Sequence, residues 1–151
     1  AIVAPISGSL SDRIGSRGLA TAGMLLLAAG LLALGLLVAG GSLREIAAAL
    51  ALFGLGVGIF VSPNNSALMG AAPRNRQGIA SGVLATSRNV GMVLGVGFAG
   101  AIFTTVATRA ASPPAGLVAG VRASLLAAAG VALVGAITSA VRGEFREQAA
   151  A

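Results

Sequence analysis

Side chains that could do chemistry are scarce in this sequence. It holds no His, Cys, Trp or Tyr, four acids (Asp12, Glu45, Glu144, Glu147) and ten basic residues, every one an arginine. The inventory lacks the side chains for nucleophile–base pairs, metal-ligand sets and disulfides, so no catalytic residue, metal or cofactor is expected, nor an enzyme. The amide and charged side chains deepest in the long apolar stretches are Asn64 and Asn65, which follow Pro63, and the pair Arg88 and Asn89. An amide both donates and accepts hydrogen bonds, whereas an arginine stays protonated: it can hold an anion or a carbonyl but cannot carry a proton. Pro63 lacks an N–H and crowds the carbonyl of Ile59, which predicts a kink or local unwinding there. A freed carbonyl about one turn from two amides suits a binding site at membrane depth, or else the amides simply satisfy the broken helix.

The elements that must position these residues are set by where charge is missing. Residues 18–43, 46–73, 89–108 and 123–141 are uncharged. Each run approaches or exceeds the roughly 20 apolar residues that a helix needs to cross a hydrocarbon core. Only 9% of the 151 residues are charged and 56% are hydrophobic, so a soluble surface could not be built. The expected fold is all-α: a polytopic bundle with membrane helices near 18–40, 45–72, 78–107 and 117–141 and a charged tail at 142–151. Residues 1–9 read as the end of a fifth helix cut short, which makes the chain a piece of a longer protein. They lack the basic front end and the initiator Met of a signal peptide.

Alternate connectors divide the arginines unevenly. Arg13, Arg17, Arg74, Arg76, Arg142 and Arg146 fall on one side, and Arg44 and Arg109 on the other, with Arg122 near that second surface. The positive-inside rule makes the six-arginine side cytoplasmic. Scattered singly, the arginines that give the net charge of +6 mark membrane flanks and not a nucleic-acid surface. The first and fourth spans carry little polarity (Thr21; Ser124, Thr138, Ser139) and can face lipid. The second and third carry Ser62 to Ser66 and Ser81 to Asn89, so they should face protein or a water-filled cavity. If these two form a hairpin turning near Asn75, Asn64, Asn65 and Arg88 share a layer. Arg88 should then turn into the bundle and bond to the second helix, as an inter-helix lock or as a contact for an anionic substrate or a carboxylate elsewhere. Asn65 lies on a stripe with Gly58 and Met69, and Arg88 on one with Gly91 and Gly95. The pairs Gly54/Gly58 and Gly91/Gly95 have the small-xxx-small spacing that lets helices approach closely.

Gly8, Leu10, Asp12, Arg13, Gly15 and Arg17 form G-x-L-x-D-R-x-G-x-R between two membrane segments. This resembles the signature cytoplasmic loop of the major facilitator superfamily (MFS), departing from it at Ser16 and Gly18, where a further basic residue is common. Ser62 to Gly78 and the following Ala80, Ser81, Gly82, Arg88, Asn89, Gly91 and Gly95 resemble the C-terminal half of the fourteen-helix drug:proton antiporters of QacA/EmrB type. The run 91–100 lacks the Gly-Pro pair of the N-terminal half. The short connector 109–116 departs from that branch, so a twelve-helix relative stays open.

The resemblance implies a partial MFS fold in a bacterial plasma membrane, completed by the missing N-terminal half of the same transporter. It further implies proton-coupled efflux of small organic compounds or drugs by alternating access. No acid lies within a span, so a proton-carrying carboxylate would sit in the other half. The alternatives are a non-transporting MFS-fold subunit or sensor, and a nutrient uptake carrier. The partners expected are the lipid bilayer, a small organic substrate and protons, with no nucleic acid.

Overall fold

The computed structural model describes residues 16–141. Four helices, α1 (Ser16–Leu37), α2 (Leu43–Ala71), α3 (Gln77–Ala107) and α4 (Pro113–Val141), account for nearly all of them, with a 3-10 turn at Arg74–Arg76. All four are long and apolar enough to cross a membrane, and no strand occurs among the described residues.

Local chemistry sets the ends. Past Leu37, the amides of Gly40 and Gly41 donate to its carbonyl (3.2 and 2.7 Å), closing α1. A capping box starts α2: the Ser42 amide and hydroxyl donate to the Glu45 carboxylate (2.7 and 2.8 Å), and the Glu45 amide donates to the Ser42 hydroxyl (3.4 Å). Such a cap is worth about 1 kcal/mol. α2 stops before Pro73, with Ala72 in the extended conformation that a following proline imposes. The fourth helix begins at Pro113, earlier than the expected start near residue 117. Pro113 and Pro114 fall in its first turn, where a missing N–H costs no helix bond.

Packing is by small residues. Among the described residues the buried hydrophobic side chains are all alanines: Ala20 and Ala28 on α1, Ala49 on α2, and Ala129, Ala132 and Ala136 on α4. Helices surrounded by lipid gain little from burying oil against oil, so close backbone approach and dispersion hold them together. α1 and α2 approach at three glycines. A Cβ at Gly23 would stand 2.7 Å from the Phe60 amide nitrogen, one at Gly30 2.6 Å from that of Phe53, and one at Gly56 would collide with the backbone of Leu27. On its other side α1 meets α4, where Thr21 donates to the Ser139 hydroxyl at 3.2 Å. α4 in turn meets α3, with Gly120 against Phe103 and Gly116 against the Ala107 carbonyl. There the Ser124 hydroxyl lies 3.0 Å from the Ala99 carbonyl of α3 and 3.0 Å from the Gly120 carbonyl of its own helix. Among the other hydroxyls, Ser81 returns to the Gly78 carbonyl, Thr104 to that of Gly100 and Thr138 to that of Gly135, which keeps these three satisfied where water is absent.

Contact therefore runs α2–α1–α4–α3, while α2 and α3, consecutive in sequence, barely touch. The expected side-by-side hairpin of the second and third helices is not formed. The first and fourth helices, expected to have only a supporting place against lipid, are the inner pair among the described residues. Their sparse hydroxyls meet each other instead of standing idle.

Candidate substrate-path residues

Among the described residues Pro63 is the one fully buried large side chain, and α2 continues through it as helix; of the kink or local unwinding expected there, the unwinding is absent. The proline still offers no N–H to the Ile59 carbonyl one turn earlier. Asn64 and Asn65 are half-buried beside it, Ser62 likewise, and Ser66 is exposed. Asn64 lies seven residues before the end of α2 at Ala71, about 10 Å along the axis, and Arg88 eleven after the start of α3 at Gln77, about 16 Å.

Arg88 and Asn89 are exposed, as is most of α3, which contributes no buried residue. Among the described residues Arg88 has no hydrogen-bond partner, so the bond expected from Arg88 to the second helix is absent. The reason is the order of packing: α1 and α4 stand between α2 and α3. Arg88 is instead exposed, while Asn64 and Asn65 stay half-buried on α2.

The glycine pairs singled out by spacing behave differently from expectation. Gly54, Gly91 and Gly95 have no heavy atom within 4 Å of where a Cβ would stand, so they are not close approaches here. Gly91 and Gly95 instead border an open apolar groove of about 480 Å³ between α3 and α4, together with Phe98, Ala127, Ala128 and Val131. These two helices are tight at Ala99–Ser124 and Phe103–Gly120 and part toward Gly91. The close approaches that spacing did not single out are Gly23, Gly30 and Gly56, and the Gly116/Gly120 pair. The last had the same four-residue signal as the pairs chosen. Phe53, Phe60 and Phe103 are spent on these approaches, leaving Phe98 exposed at the groove.

Gly8, Leu10, Asp12, Arg13 and Gly15 of the signature loop lie outside the described residues. Arg17 falls in the first turn of α1. Their joint pattern can be weighed against known proteins. Over residues 1–148 the chain matches the profile of the Major Facilitator Superfamily. It is 39% identical over 102 residues to the riboflavin transporter RibZ of Clostridioides difficile, covering 68% of this chain and 22% of that protein. It is 34% identical over 141 residues to the uncharacterized transporter YebQ of Escherichia coli, covering 93% of this chain and 29% of that one. With the multidrug resistance protein Stp of Mycobacterium tuberculosis it shares 35% over 102 residues, 68% of this chain and 19% of Stp. The chain thus spans less than a third of the length of these curated relatives. No solved structure matches it. With nearly its full length matched and four membrane-spanning helices in place, the chain belongs to the major facilitator superfamily.

Proposed function

We propose that this chain is part of the C-terminal half of a fourteen-helix bacterial exporter that moves small organic compounds outward across the plasma membrane against entering protons. The carrying observation is the division of polarity. α1 and α4 engage hydroxyls with each other and with α3, while α2 keeps Asn64 and Asn65 half-buried and α3 keeps Arg88 and Asn89 exposed. Amides and a guanidinium at such depth are costly against lipid and serve a path that another part of the protein closes. In this reading α2 and α3 line the central site, and Pro63 gives α2 a weak point about which its polar end moves. Arg88 meets an anionic group of the substrate or a carboxylate of the other half. Arginine does not release its proton, so the group that cycles with the proton is a carboxylate outside these spans. The loop Gly8 to Arg17 stands at the cytoplasmic surface, as do Arg74, Arg76 and the tail.

The name of Stp, a multidrug resistance protein, favours drug-like cargo, and that of RibZ, a riboflavin transporter, is equally compatible with the second reading, uptake of a nutrient. One experiment decides. The full-length protein is reconstituted in vesicles with an imposed pH gradient, and fluxes of riboflavin and of cationic dyes are followed. Export predicts movement opposite to the proton gradient that stops on adding a protonophore. Movement with the gradient selects uptake, and absence of any flux selects a non-transporting role.

A further inference from the structure

Arg122 is an arginine that the transport reading leaves unused. It is exposed on α4 and, among the described residues, has no hydrogen-bond or ion-pair partner; the one described carboxylate, Glu45, is engaged in the Ser42 cap. Its level can be read from the packing of α1 against α4. Thr21 meets Ser139 and Gly35 meets Leu126, so the helices are antiparallel and Arg122 falls opposite residues 38–39, just past the end of α1 at Leu37. The span Gly18–Leu37 has 20 residues, about 30 Å, which is the thickness of the hydrocarbon core. Arg122 thus stands at the boundary where hydrocarbon gives way to headgroups. Around it Ala115, Ala119 and Ala123 leave an open space of about 610 Å³, walled further by Val118 and Leu126. Deeper along the same side of α4, Leu133 and Ile137 are exposed.

A lone cation at phosphate level, with room around it and an apolar track beneath it, matches one occupant. We infer that Arg122 binds the phosphate of an anionic phospholipid, whose acyl chains run along Leu133 and Ile137. Guanidinium and phosphate pair through charge-assisted hydrogen bonds, strongest where water is partly excluded. The inference is independent of cargo and direction, because it concerns Arg122 on α4 and not Asn64, Asn65 or Arg88.

The test uses the full-length protein in detergent, with dioleoylphosphatidylglycerol and dioleoylphosphatidylcholine as probes, read by native mass spectrometry and thermal unfolding. The wild type should retain phosphatidylglycerol and be stabilised by it in preference to phosphatidylcholine. Arg122→Gln should weaken that retention about fivefold, the share of a single arginine near a charged surface. Arg122→Lys should recover part of it, and Ala119→Leu, which fills the space but keeps the charge, should lower it. Arg109→Gln, in the connector, should change nothing. Retention by Arg122→Gln equal to the wild type would overturn the inference. So would equal destabilisation of that variant with and without added lipid, since the arginine would then hold a segment of the protein.

Discussion

At the scale of single residues, the described helices separate side chains that hold the fold from those left for a task. Pro63 is buried while the amides after it are only half so, which makes α2 asymmetric at one point. Pro63→Ala restores an N–H to the Ile59 carbonyl and stiffens α2. The expected result in the full protein is unchanged or raised melting temperature with slower transport, measured by vesicle flux. Arg88 has nothing to hold among the described residues, so its removal should spare stability. Arg88→Ala should cut transport about tenfold, the loss of one hydrogen bond to a charged group, and Arg88→Lys should keep part of it. Parental flux in Arg88→Ala would remove the residue from the path.

At the scale of helices, the decisive contacts are glycine against backbone. Gly56→Val drives a branched side chain into Leu27 of α1 and should cost about 1–3 kcal/mol or prevent folding, whereas Gly54→Ala, in open space, should be neutral or slightly stabilising. Thermal unfolding in detergent compares the two. This pair also shows what a sequence can and cannot say about such a fold. Charge-free runs announced four spans because a membrane punishes charge wherever it sits, so existence and approximate length were legible. Rotation was not: on a helix of Leu, Ala, Val and Gly every face is apolar, and nothing in the letters ranks Gly56 above Gly54, two positions away and on the other side. The proline pair at 113–114 hid the start of α4 because the same residue that breaks a helix inside is at home in its first turn. The site was legible as a composition, amides and one arginine in oil, but not as an arrangement, since helix pairing depends on neighbours that no local pattern names.

At the scale of the whole molecule, orientation is set by the six-arginine side. Single cysteines at Ser42 and Ser112, in the connectors before α2 and α4, should react with an impermeant thiol reagent in intact cells, and one at Asn75 should not; the chain has no native cysteine to confuse the result. Reaction at Asn75 from outside would invert the assignment. The seam between α3 and α4 has a mechanical consequence. It is fastened at Ala99 and Phe103 and unfastened toward Gly91, so among the described residues α3 is clamped near one end and free along the rest. From Ala99 back to Gln77 the free arm is about 33 Å, and a tilt of about 5° at the clamp carries its tip about 3 Å. α3 is in this sense a lever whose fulcrum is a serine hydroxyl on a backbone carbonyl, and Arg88 rides halfway along it.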